Sequence, residues 1–522
     1  MTPSTLYAWF DASSRRHGGL AAVDCGERTI CYDELRFLAE RSAARMMRAA
    51  GSPPAVVALH AAPGLDAYVA YLGALRLGAC VVPVSPAHPA RRIARILTAA
   101  APDLVVTHTD GPHHGAPTLR LPAAGPDGEP GTRDLPPVPG SADAPAYLLF
   151  TSGSTGEPKG VPIRNGQVCA YLAHTVQARD LGPGSRVSNT FDLTFDLSVH
   201  DLFVTWAAGA TLVLPPPRAA LLNPVRYVEE GGLTHWFSVP SLITLARRTR
   251  ALRPGSMPGL RHSLFAGEQL TRPQAEAWAE AAPYSTVTNL YGPTEVTITC
   301  ASYRLPADRA AWPHTRNGTV PIGGVYPALE HLVVDGDGAP ADEGELLLRG
   351  PQRFAGYLDP ADDRGRFARL PGRPGRGGEG SAGPAQAPDP DLWYRTGDRV
   401  RRDGDILIHL GRLDHQVKVR GFRVELGEIE ALLRTHPGVT EAVVVLAAHG
   451  GGALLAAYTG DSGLGAELTA LAAESLPSYM CPESVVELDR MPLNANGKTD
   501  RLQLLDLLVS PQAPVPVAAT AR

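Results

Sequence analysis

LLFTSGSTGEPKGV, residues 148 to 161, is the stretch on which the fold turns. Leu148, Leu149 and Phe150 read as a buried strand leaving a parallel sheet. Behind them Thr151, Ser152, Gly153, Ser154, Thr155 and Gly156 form a run of hydroxyls and glycines with almost no side-chain bulk. Glycines let the backbone turn tightly and present its N–H groups to an anion, and hydroxyls add donors. Lys159 places a positive charge beside that run. A Ser/Gly-rich surface turn would have the same composition. Pro158, where a Walker loop has glycine before its lysine, excludes that motif. By itself the stretch predicts a strand feeding a phosphate-binding loop.

Lysine usage sharpens the reading. Of 48 lysines and arginines only three are lysine: Lys159, Lys418 in QVKVRG and Lys498 in NGKTD. An ammonium is a compact point charge that a planar guanidinium does not replace where geometry is tight. Each of the three falls in a glycine-containing polar motif, so each is read as chemically required.

The 522 residues are enough for two or more domains with sizeable cores. Apolar content of 44% and charged content of 19% fit a soluble protein, and a net charge of −5 gives no basic footprint for nucleic acid. Six cysteines without a CxxC pair point to reduced thiols and a cytoplasmic location. The start, MTPSTLYAWF, lacks the regions of a signal peptide, and Val69 to Val84 is too short to span a membrane. His108, His113 and His114 sit in a Gly/Pro-rich stretch and are read as a solvated loop.

Tyr32 to Ala50 puts Leu35, Leu38, Ala39, Ala43 and Met46 on one helical face. Ala55–Leu59, Cys80–Val84 and Leu104–Thr107 read as buried strands between helices near 65–77 and 89–100. That alternation predicts an α/β fold with a mostly parallel sheet. Gly111 to Ala146 is read as a surface excursion, followed by the phosphate loop and a helix from about Asn165. A second alternation over 186–300 offers strands at Leu212–Leu214, Trp236–Val239, Leu264–Ala266 and Thr286–Leu290. Residues 320–358 are strand-rich, and Pro371 to Pro390 is a low-complexity insertion. The expected division is a large N-terminal core over 1–412, a small α+β domain over 413–508 and a loose tail over 509–522.

Seven motifs now stand in order: LLFTSGSTGEPKGV, FDLSV (195–199), NLYGPTE (289–295), GELLLRG (344–350), YRTGD (394–398), GRLDHQVKVRGFRVELGEIE (411–430) and NGKTD (496–500). Together they resemble the adenylate-forming enzymes, and within them the stand-alone amino-acid adenylation domains of nonribosomal peptide and antibiotic synthesis. The resemblance covers nearly the whole chain. It implies two α/β subdomains plus a β-barrel in the large domain, and a small mobile C-terminal domain.

It also implies a reaction. A carboxylate attacks the α-phosphate of ATP, pyrophosphate leaves, and the acyl group passes to a phosphopantetheine thiol. Both reactants are anionic, so charge must be neutralised and the groups aligned. Lys498 then stands as the catalytic lysine. Thr151, Ser152, Gly153, Ser154, Thr155, Gly156 and Lys159 cradle the β- and γ-phosphates, and Thr294 the α-phosphate. Glu295 holds Mg²⁺, a hard cation suited to one carboxylate plus phosphates. Asp398 takes the ribose hydroxyls with Arg412 nearby and Tyr291 packs on adenine, while Gly267, Glu268, Asn289 and Gly292 complete the nucleotide site. Asp414 is the expected hinge of the small domain.

Asp196 in FDLSV occupies the position at which amino-acid adenylation domains bind the substrate's α-ammonium. A buried carboxylate is costly without a cation, which fits that role. The other pocket positions by the same resemblance are Leu197, His200, Phe237, Leu264, Ala266, Leu290, Ile298 and Thr299. With Lys498 this set resembles the proline-selecting pocket. L-proline is the expected substrate, ahead of alanine, valine and threonine. His200, with Thr299 opposite, instead suits a hydroxylated side chain. Gly460-Asp461-Ser462 is read as a loop, not a phosphopantetheine site, so the acceptor is expected to be a separate carrier protein in trans, or CoA. An acyl- or aryl-CoA ligase would share the ATP motifs, and Asp196 weighs against it. A non-catalytic ATP-binding protein would tolerate loss of Lys498 or Glu295, and both are present.

Overall fold

A computed structural model describes residues 2–109, 115–122, 135–153, 157–215, 223–369, 388–414, 416–447, 452–493 and 499–509. Ser154, Thr155, Gly156, Lys498, His113, His114, the tail after 509 and the insertion up to residue 387 lie outside them. Contacts divide the chain into two compact units. One comprises Met1–Ser85, Leu97–Phe150 and Gly160–Leu413; the other comprises Pro86–Ile96, Thr151–Lys159 and Asp414–Arg522.

Two α/β layers and an antiparallel sheet build the first unit. Val56–His60, Cys80–Val84 and Leu104–Thr107 pair in parallel within a six-stranded sheet that also holds Pro145–Thr151, the strand that opens the phosphate loop. Leu65–Arg76 and Ala90–Ala100 are helices, as is Tyr32–Ala50, whose Leu35, Ala39, Ala43 and Met46 are all fully buried. The surface excursion needs one correction: Thr118–Arg120 is a strand at that sheet's edge, paired with Leu104–Thr107. Three residues with one buried side chain are too few to leave a period in the sequence.

The second sheet has nine strands, with the parallel trio His235–Ser238, His262–Phe265 and Thr286–Tyr291 side by side. Register sets which side chains share a face. Phe237 pairs with Leu264, and Leu264 with Thr288, so Phe237, Leu264 and, by the period of two, Leu290 and Ala266 point one way. Trp236, Phe265 and Val287 point the other way and belong to a separate core with Trp278. Phe237, Leu264, Ala266 and Leu290 join instead the main core that also holds Leu197 and Ile298. The third sheet is antiparallel: Glu330–Val334, Glu343–Arg349, Trp393–Asp403 and Phe367–Ala368 in order, with Ile406–Arg412 also on Trp393–Asp403.

The other unit carries Val439–Ala447, Ala453–Gly460 and Ser484–Glu487 in one sheet, packed by the helices Leu426–Leu433 and Gly465–Ser475. Gly460 ends its strand at φ +141°, where a Cβ would come within 2.1 Å of the Gly438 carbonyl oxygen. The Gly460-Asp461-Ser462 segment is thus a tight turn, as expected. Two early segments belong to this unit through specific bonds. Ser152 Oγ donates to the Arg423 carbonyl at 2.8 Å and accepts from the Glu425 N–H at 3.1 Å. The Gly153 N–H reaches Glu428 Oε2 at 3.3 Å, and Arg92 pairs with Glu428 Oε1 at 2.8 Å, both side chains almost wholly buried.

Candidate active site

FDLSV leads into an unusual piece of helix. Leu197–Val199 is a single α-turn that continues as a five-residue π-helical turn, His200–Val204. π-turns re-aim side chains and recur at functional sites. This one buries Asp196, Leu197 and His200 together at 7%, 4% and 2% exposure. The His200 ring stands edge-on to Phe237 at 4.6 Å between centroids, and Phe237 in turn meets Phe191 at 4.9 Å. The sheet face bearing Phe237, Leu264, Ala266 and Leu290 thus meets the turn bearing Leu197 and His200, and the buried Asp196 directly precedes that turn.

The remaining lining comes from a strained turn after NLYGPTE. Thr297 and Ile298 both have left-handed backbone, at φ +56° and +69°. Non-glycine residues rarely adopt it, β-branched ones least of all. Gln352 holds the turn: its Nε2 donates to the Thr299 carbonyl at 2.9 Å and to the Val296 and Thr297 carbonyls at 3.3 Å. Thr297 Oγ1 returns a bond of 2.6 Å to the Gln352 carbonyl. Gly292 packs under the same turn, where a Cβ would stand 2.5 Å from Thr299 Cα and 2.7 Å from the Ile298 carbonyl oxygen. Those neighbours are backbone and cannot swing away. Gly292→Ala is expected to cost about 1–3 kcal/mol by overpacking and to raise KM for the amino acid more than for ATP. A thermal melt beside two-substrate kinetics checks it; an unchanged melt would mean the turn yields freely.

Thr299 is not a free polar wall group as the sequence suggested. Its hydroxyl lies 2.8 Å from Tyr326 Oη and 3.4 Å from Tyr171 Oη, so its bonds are made inside the protein. Neither tyrosine is signalled by the motifs.

The residues of the first unit that the sequence assigns to a nucleotide also have definite partners. Tyr291 Oη donates to Asp398 Oδ2 at 2.6 Å. Asp398 Oδ1 faces His409 Nε2 at 3.0 Å and Arg412 Nη1 at 3.1 Å. Burial by itself would raise the Asp398 pKa, but the hydrogen bond with His409 and the positive charge of Arg412 pull it well below the usual carboxylate range. It therefore stays an anionic acceptor, as a ribose site needs. His409 is a partner the sequence reading missed, since it lies in ILIHLGR, two residues before the recognised motif. Asn289 donates to the Val320 and Pro321 carbonyls at 3.1 and 2.9 Å, and its buried Oδ1 has no partner among the described residues. Glu268 accepts from the Ser241 N–H at 2.8 Å. Gly267 turns at φ +86°.

Glu295 is fully buried, on the 3₁₀ turn Thr294–Val296, and Tyr357 Oη donates to its Oε1 at 2.6 Å. Among the described residues no group of three or more His, Cys, Asp or Glu could hold a metal ion. In the other unit Thr151 ends its strand, Ser152 and Lys159 are buried, and a Cβ on Gly153 would stand 2.0 Å from the Glu157 carbonyl oxygen. That closeness gives the glycine its physical reason. Asp414 accepts from the Gln416 N–H at 3.2 Å.

With this geometry in hand the comparisons are direct. The model of the AMP-binding enzyme family matches residues 10–358, and that of the AMP-binding enzyme C-terminal domain matches 428–498. The chain belongs to the AMP-binding enzyme family. It is 34% identical over 561 residues to an L-proline--[L-prolyl-carrier protein] ligase of Streptomyces coelicolor, covering 99% of both chains. It is 35% identical to phosphinothricin tripeptide synthetase PhsC of Streptomyces viridochromogenes, covering 97% of this chain but 45% of that protein. The chain thus spans under half the length of that synthetase. Among solved structures, IdnL7 is 39% identical with a TM-score of 0.69, over 96% of this chain and 98% of that one. The Vibrio cholerae adenylation domain AlmE, in complex with glycyl-adenosine-5'-phosphate, is 28% identical with a TM-score of 0.80, over 96% and 97%. The expected α/β large domain with a small C-terminal domain is the fold these structures share. Among the described residues no helix is long and apolar enough to cross a membrane.

Proposed function

We propose that this chain activates an amino acid, L-proline first among the standard ones, as its aminoacyl-adenylate and loads it onto a carrier-protein thiol. The observation that carries the reading is Asp196, a carboxylate 7% exposed beside a wall of Phe237, Leu264, Leu290 and Leu197. A substrate ammonium can pair with that carboxylate, and the wall leaves the side-chain end of the pocket to a compact apolar group. The likeness to the L-proline ligase over its full length supports the choice of proline and of a carrier acting in trans.

In the reaction the amino acid's carboxylate oxygen bonds to the α-phosphorus of ATP as the bond to pyrophosphate breaks. A thiol then takes the acyl carbon and AMP leaves. The residues fit ATP and Mg²⁺. The unpartnered Oδ1 of Asn289 can accept an amino hydrogen of adenine, and Asp398 is held anionic for the ribose. Glu295, with one oxygen held by Tyr357, would give a hard cation a single carboxylate, the phosphates supplying the rest. Lys498, outside the described residues, is assigned to the carboxylate and α-phosphate, Thr151, Ser152, Gly153 and Lys159 to the outer phosphates, and Asp414 to the hinge.

ATP–pyrophosphate exchange with proline, alanine, valine and threonine at matched concentrations tests the substrate. Proline should rank first, with alanine and valine about 10- to 100-fold behind, the usual discrimination of apolar pockets. Another of the four ranking first would refute proline and leave adenylation standing. Turnover with CoA and a desamino acid but no amino acid would point instead to an acyl-CoA ligase.

A further inference from the structure

Behind the pocket wall runs a chain of polar groups that the reaction above does not use. Arg179 Nη2 donates to Tyr326 Oη at 3.2 Å, and Tyr326 Oη lies 2.8 Å from Thr299 Oγ1. Thr299 Oγ1 lies 3.4 Å from Tyr171 Oη, and Tyr171 Oη 2.6 Å from His200 Nδ1. Tyr326, Thr299, Tyr171 and His200 are at most 3% exposed, so bulk solvent does not reach their bonds.

Proton counting gives the chain a direction. A guanidinium has donors only, so Tyr326 accepts from Arg179 and must place its own proton elsewhere. Thr299 is the acceptor at hand. Thr299 then passes its hydrogen to Tyr171, and Tyr171 to His200 Nδ1. In this arrangement each hydroxyl accepts once and donates once; run the other way, the Tyr326 proton has no acceptor in the chain. His200 Nδ1 is then an acceptor, which leaves the ring proton on Nε2. Burial, with Arg179's charge adding to it, pushes the imidazole pKa down to about 3, so the ring is neutral at physiological pH. Nε2 lies on the ring edge away from Tyr171, and the ring packs on Phe237 of the pocket face.

We propose that this relay holds His200 as an Nε2–H donor, and that the pocket is built for an amino acid whose compact, otherwise apolar side chain carries one hydrogen-bond-accepting oxygen. The proposal rests on the adenylation reading and refines it. Thr299's hydroxyl is consumed in the relay, and the His200 Nε2–H is a donor that the relay leaves over. Against a wholly apolar side chain its N–H would be desolvated without a partner, whereas a substrate hydroxyl restores the bond. Sites built around a buried polar partner discriminate against the analogue lacking it more sharply than apolar pockets separate methylenes. Tyr171, Thr299, Tyr326 and Arg179 act through His200 and are positioning residues.

Two matched pairs isolate the oxygen: trans-4-hydroxy-L-proline against L-proline, and L-threonine against L-valine. In pyrophosphate exchange by the unmodified enzyme, the hydroxylated member of at least one pair should lead in kcat/KM by about 10-fold or more. His200→Leu should reverse that preference. Tyr171→Phe, which removes the proton given to Nδ1, should reduce it several-fold. Nitrogen NMR of ¹⁵N-histidine-labelled enzyme should show His200 protonated at Nε2 only, and a mixture of tautomers in Tyr171→Phe. The apolar member leading in both pairs, or a ratio untouched by His200→Leu, overturns the proposal. So does a proton on Nδ1 in the unmodified enzyme, a readout that survives if a variant fails to fold. Absence of exchange with every amino acid would overturn the adenylation reading instead, while the tautomer would still report on the relay.

Discussion

Lys498→Ala is expected to leave the melting temperature unchanged and to slow adenylate formation by about 10²-fold or more, the scale of losing one aligned electrostatic group. The charge it supplies meets two anions that must approach each other, a carboxylate and a triphosphate. In a chain with 45 arginines, a lysine at this point is a choice of a compact cation over a fork of donors. The described flanks explain why folding should not suffer: Leu493 and Thr499 bridge to each other, and the helix Arg501–Val509 follows, so the surrounding unit is tied together on either side of the substitution. Single-turnover formation of the adenylate, read beside a thermal melt, decides the matter. A rate within a few-fold of the unmodified enzyme would remove Lys498 from the chemistry.

Asp196→Ala should abolish activation of amino acids while ATP still binds. Removing one partner of a buried ion pair costs about 3–5 kcal/mol, because the other is left buried and uncompensated. Here the stranded partner would be the substrate's ammonium, so the loss should appear in kcat/KM for the amino acid as about 10²- to 10³-fold or more. Retained nucleotide binding, measured calorimetrically, separates a lost ammonium site from a collapsed pocket. Should desamino acids or fatty acids turn over better than any amino acid in the unmodified enzyme, Asp196 has another role.

What the sequence disclosed and what it withheld divide along physical lines. Tyr32–Ala50 and Cys80–Val84 were readable to the residue because burial imposes a period of 3.6 on one and a continuous apolar run on the other. The pocket positions Phe237, Leu264 and Leu290 come from the resemblance, and only the strand register shows that they share one sheet face. The polar partners were not readable. Tyr171 and Thr299 are 128 residues apart, and nothing local marks either as the other's neighbour. Gln352, the clamp on the strained turn, leaves no pattern because its bonds go to main-chain carbonyls of another segment. The π-turn at His200 likewise has no periodic signature, being one residue too many in a short helix. Lysine scarcity was the one compositional fact that pointed past motifs to single atoms.

The left-handed backbone at Ile298 has a consequence for how this enzyme can change. A β-branched residue held there costs about 1–3 kcal/mol, which the surrounding turn sustains. Glycine or asparagine at this position would relax the main chain while enlarging or polarising the cavity. Ile298 is also buried in the main core, so truncating it forfeits about 2–5 kcal/mol of packing, which exceeds the strain relieved. Laboratory evolution toward larger or polar amino acids that passes through residue 298 should accordingly lose thermostability as it gains space there, and should need a compensating substitution elsewhere.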